Sequence, residues 1–176
     1  MTTAGPDGLL TTEQRLAAIE ARLRNAEDHL AILNLLNSYG PLVDSGASAA
    51  AADLWEVGGG YNYSGGNSNG TRLEAPDQLV AIYEGAGHQS LISTGSAHLQ
   101  ATPKITIDGD RATAIGYSFV ILREGDRWYI LRAAINDFSL VRTAQGWRIA
   151  ERFNRTLIGS EDSHEVMRRV LGDKAR

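Results

Sequence analysis

The chain has 176 residues, with 17 lysines and arginines against 21 aspartates and glutamates, a formal net charge of −4 and 43% hydrophobic residues. This length suits one compact domain, and a mildly acidic chain without a basic cluster is a poor match for a nucleic-acid partner. No apolar run approaches the roughly 20 residues of a membrane span, and the absence of cysteine excludes disulfides and thiolate chemistry.

The amino end is predicted to be helical. The opening residues carry no basic-then-apolar signal segment, so we expect a cytoplasmic protein. Apolar residues recur every three or four positions from Thr11 to Tyr39, which predicts a helix, with a second helix starting at Asp28. We interpret residues 1–27 as a helical extension that packs on a neighbour or on the domain surface. Because proline lacks an amide hydrogen, Gly40-Pro41 is expected to kink or end the helix.

Glycine dominates the next stretch. Residues 57–70 contain two glycine runs, with Tyr61 and Tyr63 alternating between them, and this pattern predicts a short strand inside a loop. No Lys-Ser/Thr pair follows, so the glycines do not favour a phosphate-binding loop. Pro76–Glu84 is predicted to be a short helix, and His88 is predicted to lie in the loop after it.

From Ser96 onward the hydrophobic period is two, which indicates strands. Three turn signals separate four predicted strands, at His98–Ile107, Arg111–Arg123, Trp128–Arg142 and Trp147–Ile158. Tight turns between long strands predict an antiparallel meander, and helices followed by such strands predict an α+β fold. A curled sheet with helices against it can enclose a pocket. Residues 159–176 close the chain with a helix capped by Ser160 and a tail.

Histidine supplies few candidates for chemistry. His29 and His164 lie on predicted helices among charged neighbours, and we interpret both as surface residues. His98 is different, because it stands in a strand between Ala97 and Leu99 and its ring should point into the core or into a cavity. The residues alone leave both readings of His98 open.

Tyr39 and Asp44 flank the predicted helix break. In an unbroken helix five residues turn through about 140° net, which would splay the two side chains, whereas a break could aim both into one cavity. Asp44 either needs a partner for a shielded carboxylate or caps the polar turn that follows it. Arg152, in the last strand, either faces solvent or supplies a cation to the pocket. One histidine and one aspartate are too few ligands for a closed zinc site, and we expect no metal and no cofactor.

A set of short motifs occurs in a fixed order along residues 28–158. They are Ile32, Leu35 or Leu36, Tyr39 and Asp44 in the helix, then Asp53-Leu54-Trp55, His98-Leu99, the Asp108 to Ala112 turn, and Trp147, Ile149 and Arg152 in the last strand. This ordered set resembles the SnoaL-like members of the nuclear-transport-factor-2-like (NTF2-like) superfamily. The resemblance implies an α+β fold in which a cone-shaped, curved antiparallel sheet packs with helices around a deep pocket, commonly in a trimer or dimer.

The resemblance also implies an activity. Tyr39, Asp44, His98 and Arg152 are similar to the active site of bile acid 7α-dehydratase, with related Asp–His pairs in scytalone dehydratase and hexachlorocyclohexane dehydrochlorinase, all cofactor-free eliminating enzymes. The leading hypothesis is a lyase that eliminates water from an apolar, ring-containing substrate such as a steroid or polyketide. His98 would be the base, Asp44 would orient it, and Tyr39 and Arg152 would stabilise developing negative charge.

The remaining expectations concern the pocket and the rival functions. The side chains expected to bind substrate are Trp55, Tyr61, Tyr63, His88, Tyr117, Phe119 and Asn136. An isomerase or cyclase acting through the same enolate, and a non-catalytic NTF2-like binding module or subunit, remain open alternatives. In each case the expected partner is a small apolar molecule, with no nucleic acid and no membrane.

Overall fold

The computed structural model describes residues 10–64 and 70–175, so residues 65–69 of the glycine-rich stretch and the first nine residues of the predicted extension lie outside the description. The helices are α1 (Thr12–Asp44), α2 (Ser48–Ala52), α3 (Asp77–Glu84), α4 (Ala86–Thr94) and α5 (Glu161–Arg168), the last followed by a 3-10 segment (Arg169–Ala175). The strands are β1 (Trp55–Ser64), β2 (Thr71–Glu74), β3 (Ser96–Gln100), β4 (Lys104–Asp108), β5 (Arg111–Glu124), β6 (Arg127–Thr143) and β7 (Gly146–Thr156).

Helix α1 begins at a reciprocal cap. The Thr11 hydroxyl accepts a hydrogen bond from the Gln14 amide at 3.2 Å, and the Gln14 side chain accepts one from the Thr11 amide at 2.9 Å, which satisfies two free donors of the first turn. In the first turns Leu16, Ile19 and Leu23 are each more than half exposed. Although α1 has 33 residues, neither it nor any other helix in the described part of the chain carries the apolar stretch that a bilayer crossing needs.

The helix then runs as one element to Asp44, so the predicted second helix at Asp28 is wrong, and of the kink or end expected at Gly40-Pro41 the end is wrong. The reason lies in where Pro41 points. Pro41 and Asn37 are both exposed, so the Asn37 carbonyl that loses its intrahelical donor stays open to water. Nearer the start of α1, Asp28 anchors the helix to the sheet by accepting hydrogen bonds from Arg142 Nη1 at 2.7 Å and Trp147 Nε1 at 3.1 Å.

The sheet has the strand order β2-β1-β7-β6-β5-β3, with β4 also paired to β5. It is curved and does not close, and its pairings are antiparallel except for β1, which runs parallel to β7. The predicted α+β fold is therefore confirmed, with one parallel pairing that the meander prediction lacked. The predicted strand His98–Ile107 is two strands, because residues 101–103 interrupt it while both halves pair with successive parts of β5.

Two elements differ from the sequence prediction near the pocket. Strand β1 is ten residues long rather than a short strand in a loop. Its glycines suit tight packing, since a Cβ built on Gly59 would crowd the backbone carbonyl oxygens of Glu56 and Ile149. His88 lies in helix α4, not in a loop, and α4 starts after the extended Gly85 with no side-chain cap to signal it.

Different helices pack on the two faces of the sheet. On the inner face, toward α1, the period of two places Ala134, Asn136 and Phe138 of β6 beside Arg152 and Asn154 of β7. The core on this side joins buried residues of α1, α2, α3 and the sheet, among them Ile32, Leu36, Val43, Ala51, Leu79 and Ile149. On the outer face α5 contacts β6 and β7, and its cap is the predicted Ser160, whose hydroxyl accepts from the Ser163 amide at 3.4 Å.

Candidate active site

Helix α1 meets strand β3 at Gly40. A Cβ built on Gly40 would overlap the backbone carbonyl oxygen of His98, so only glycine permits this approach of helix to strand. Because α1 continues for one more turn beyond that contact, its last residue, Asp44, lies against β3. The Gly-Pro pair therefore does not break the helix: the glycine brings it against the strand and the proline faces water.

Asp44 and His98 form a close pair. The His98 Nδ1 atom lies 2.7 Å from Asp44 Oδ1, the His98 backbone amide donates to Asp44 Oδ2 at 2.6 Å, and the Ser96 hydroxyl donates to Oδ1 at 2.8 Å. Burial alone would raise the pKa of the Asp44 carboxyl, but the hydrogen bonds from the His98 ring, the His98 amide and Ser96 outweigh it and hold that pKa below its ordinary value. An ionised carboxylate only accepts hydrogen bonds, so Nδ1 carries the hydrogen and Nε2 of the neutral ring is free to accept a proton.

Tyr39 flanks the same histidine from the helix side. Tyr39 is 7% exposed as a residue, and its ring meets the His98 ring edge to face, with centroids 6.2 Å apart and planes at 89°. Burial raises the pKa of Tyr39, although the charge of Arg152 opposes the shift. Burial likewise raises the pKa of the neighbouring Tyr83 well above its ordinary value. Both tyrosines therefore keep their hydroxyl hydrogens at neutral pH and can donate hydrogen bonds.

Arg152 is held in the floor of the site by a polar network. Its side chain is 3% exposed in total, and its Nε donates to Asn136 Oδ1 at 3.0 Å, an oxygen that also accepts from Asn154 Nδ2 at 2.7 Å. The guanidinium carbon lies 4.8 Å from the Tyr39 ring centroid and 4.7 Å from that of Tyr61, distances at which a cation is attracted to the ring face. The Nη1 atom has no hydrogen-bond partner among the described residues.

Two further residues of the site are His88, which the sequence places in a loop and the structure in α4, and Arg132, which is not among the sequence candidates. His88 Nε2 lies 3.1 Å from the Val43 carbonyl, which can only accept, so this nitrogen carries the hydrogen; the His88 and His98 ring centroids are 5.4 Å apart. Arg132 shares the inner face of β6 with Ala134 and Asn136, so the period of two, phased on Arg152, would have found it.

These side chains border two adjoining cavities. The outer one has a volume of about 320 Å³ and is lined by Tyr39, Tyr61, Tyr63, Ile82, Tyr83, Gly85, Gly87, His88, Leu91, His98 and Arg132. The inner one, about 10 Å³, is lined by Tyr39, Tyr61, His98, Leu99, Gln100, Ser118, Phe119, Val120, Arg132, Arg152 and Asn154. Four residues line both cavities: Tyr39, Tyr61, His98 and Arg132. The inner cavity extends from these residues toward Arg152 and Asn154 of the sheet.

The structure brings most of the sequence-predicted residues together. Tyr39, His98 and Arg152 line the cavities, and Asp44 stands behind His98; Tyr61, Tyr63, His88 and Phe119 also contribute to the walls. Three other predicted residues are not brought to a wall. Trp55 is buried against the Tyr39 ring at 5.9 Å, and Asn136 is fully buried beneath Arg152. Tyr117 is 43% exposed, because alternate residues of β5 face opposite sides of the sheet and it is Ser118 and Val120 that lie on the inner face. Phe119 borders the inner cavity from a position that shares the outer face with Tyr117.

The described residues contain no group of three or more histidines, aspartates or glutamates placed to hold a metal ion. The polar and titratable groups at the site include the Asp44–His98 pair, Tyr39, Tyr83, His88 and the two arginines, Arg132 and Arg152.

Comparisons with known proteins agree with this architecture. The SnoaL-like domain family model matches residues 24–153. An NTF2-like protein with a cystatin-like fold from Novosphingobium aromaticivorans is 31% identical, with 93% of this chain and 99% of that chain covered at a TM-score of 0.81. No curated protein matches the chain significantly.

More distant solved structures share the fold. A protein of unknown function from Mycobacterium tuberculosis is 20% identical, with 87% of this chain and 90% of that chain covered at a TM-score of 0.66. A protein from Catenulispora acidiphila, solved in complex with S-DNPA, is 16% identical, with 81% of this chain and 98% of that chain covered at a TM-score of 0.63.

Substitution of Gly40 tests the contact that positions the pair. In Gly40→Ala the added methyl group overlaps the His98 carbonyl, so helix and strand must move apart, and we expect the free energy of unfolding to fall by about 1–3 kcal/mol. Urea unfolding measures the change. Gly87→Ala is the matched control, since a Cβ there meets nothing within 4 Å, and it should be neutral or slightly stabilising. Equal stability of Gly40→Ala and the wild type would contradict the close approach.

The lowered pKa of Asp44 predicts a pH dependence of stability. Because the folded-state pKa lies below the unfolded value of about 3.9, the stabilisation is fully present above that pH and is lost as the pH falls through the folded pKa. Urea unfolding between neutral and acid pH should therefore show a gap between the wild type and Asp44→Asn that shrinks in acid. The exposed Asp126→Asn is the control. A gap that stays constant down to the acid limit would contradict the assignment.

Proposed function

The chain belongs to the SnoaL-like domain family, and on that premise we propose that it is a cofactor-independent lyase of the dehydratase type. Its substrate is an apolar, ring-containing molecule with a hydroxyl group two carbons from a carbonyl. The observation that carries the proposal is the Asp44–His98 pair at the wall of the cavities, with 2.7 Å between Oδ1 and Nδ1.

His98 is the base. Asp44 accepts the Nδ1 hydrogen, which fixes the tautomer that leaves Nε2 unprotonated, and the carboxylate stabilises the imidazolium that forms when Nε2 takes a proton. An imidazole can take up a proton and return it during one reaction, and a positioned base contributes roughly 10²–10⁴-fold in rate.

The elimination conserves atoms and charge without a co-reactant. Nε2 removes the proton from the carbon next to the carbonyl, and the electron pair of that C–H bond forms the enolate. The enolate then re-forms the carbonyl and a new C=C bond as the C–O bond to the hydroxyl breaks. The imidazolium returns its proton to the departing hydroxide, so the products are water and an unsaturated carbonyl compound.

Tyr39 and Arg152 stabilise the negative charge that develops. Burial raises the pKa of Tyr39 and keeps its hydroxyl hydrogen available as a donor beside His98. Arg152 adds a fixed positive charge 4.8 Å behind the same ring. Preorganised donors and charges of this kind, in a site sheltered from water, are worth far more than in solution.

The cavity suits a small molecule. A volume of about 320 Å³ lies at the lower end of the range for small-molecule pockets, and most of its wall is aromatic or aliphatic. A structural neighbour from Catenulispora acidiphila was solved with the small molecule S-DNPA, which supports this class of partner. Isomerisation or cyclisation through the same enolate would use the same residues, and these reactions differ from elimination in the mass of the product.

The test is a turnover screen with two variants and a control. Ring-containing hydroxyketones, including hydroxy-ketosteroids, are incubated with the enzyme, and mass spectrometry should find a product lighter by one water. We expect kcat to fall by about 10²–10⁴-fold in His98→Ala and in Asp44→Ala, since the first removes the base and the second its orienting partner. His164→Ala, on the exposed face of α5, is the control and should keep wild-type rates.

Two results would overturn the proposal. Near-wild-type turnover in either folded variant would mean that the pair is not the base. A product of unchanged mass would replace elimination with isomerisation or cyclisation.

A further inference from the structure

The charges around the two cavities do not balance. Arg132 lines both, Arg152 lines the inner one, and among the described lining residues no aspartate or glutamate faces either cavity. Asp44, ionised behind His98, offsets at most one of these two positive charges. The interior is therefore locally positive in a chain whose formal net charge is −4.

Arg132 is the accessible one of the two cations. It lies half-buried on the inner face of β6, opposite Val120 of β5, and its side chain forms no hydrogen bond or ion pair with any residue in the described ranges. Among the described residues, the other arginines without an ion pair are either exposed or, in the case of Arg152, buried; the exposed ones are Arg15, Arg22, Arg24, Arg111 and Arg127. The arginines that form ion pairs with an aspartate or glutamate are Arg72, Arg123, Arg142, Arg148, Arg155, Arg168 and Arg169.

Arg152 is a second cation at the cavities that has no negatively charged partner among residues 10–64 and 70–175. It is 3% exposed, its Nη1 has no hydrogen-bond partner in the described parts of the chain, and its neighbours are rings and amides rather than an anion. A buried charge without a counter-charge is costly, and a ligand that supplies one recovers much of that cost on binding.

We infer that the substrate of this cavity carries a carboxylate, and that Arg132 is the residue that pairs with it. The inference rests on the proposed function, because it assigns a chemical class to the substrate of the same site. A planar guanidinium pairs with a planar carboxylate through two parallel hydrogen bonds, which fixes orientation as well as affinity.

The position of the carboxylate follows from the two volumes. The inner cavity, about 10 Å³, has room for roughly one water-sized group, so the carboxylate lies at the junction where Arg132 borders both cavities. The ring then fills the outer cavity against Tyr63, Ile82 and Leu91. Since His98 shares the junction with Arg132, the carboxylate holds the adjacent part of the ligand beside the base.

The test compares two probes that differ in charge and hardly in shape. Binding of 2-naphthoate and 2-naphthamide is measured by titration calorimetry at neutral pH, in the wild type, Arg132→Gln, Arg132→Lys and Arg127→Gln. We expect the wild type to bind the acid about tenfold or more tightly than the amide, the increment of a charge-assisted pair. Arg132→Gln should abolish that preference, and Arg132→Lys should keep part of it.

The control is Arg127→Gln, which removes an exposed arginine at the start of the same strand and should keep the full preference. Equal binding of acid and amide by the wild type, an undiminished preference in Arg132→Gln, or no binding of either probe would overturn the inference.

Failure of this inference is distinguishable from failure of the proposed function. His98→Ala should retain the preference for the acid, because it leaves Arg132 in place while it removes the base. A preference that persists in an enzyme with no eliminating activity would reject the lyase and keep the carboxylate site. Elimination from neutral substrates, without any preference for the acid in binding, would keep the lyase and reject the carboxylate site.

Discussion

The site depends on one backbone contact, the approach of helix α1 to strand β3 at Gly40. With no side chain at that position, the helix backbone lies against the His98 carbonyl, and the following turn delivers Asp44 to the ring and the amide of the same histidine. Tyr39 and Asp44 point about 140° apart around the helix axis. That separation lets one helix contact His98 on two sides, with the edge-to-face phenol on one and the carboxylate on the other.

Near this contact a small polar network is buried, and three of the five buried side-chain atoms without a hydrogen-bond partner in the described parts of the chain belong to residues that line the cavities. Asn136 is fully buried and connects Arg152, Asn154 and Ser118 through side-chain hydrogen bonds. The buried atoms without partners among the described residues include Arg152 Nη1, Asn154 Oδ1 and the Tyr83 hydroxyl, and all three residues line a cavity. Buried polar groups are nearly always hydrogen-bonded in folded proteins, so this cluster is the arrangement expected where a ligand completes the network.

The sequence was sufficient for the fold class and for part of the site. The period of two located strands β5, β6 and β7, and a histidine between apolar neighbours was correctly expected to point inward. The continuity of α1 was not predictable, because it depends on Asn37 and Pro41 both lying on the exposed side of the helix. The choice of strand face is ambiguous from sequence, because apolar residues occupy both faces of β5. Alternation alone therefore does not distinguish the outer face, which holds Tyr117, from the inner face, which Arg132 of β6 shares.

The most direct measurement of the central claim is the protonation of the His98 ring in solution. Nitrogen-15 NMR of histidine-labelled protein, with His98→Gln to assign the signals, distinguishes a protonated from an unprotonated ring nitrogen. At a pH where the ring is neutral, the account predicts that Nδ1 carries the hydrogen, held by Asp44, and that Nε2 does not. A ring with the hydrogen on Nε2, or one that exchanges freely between both forms as an exposed histidine does, would contradict it.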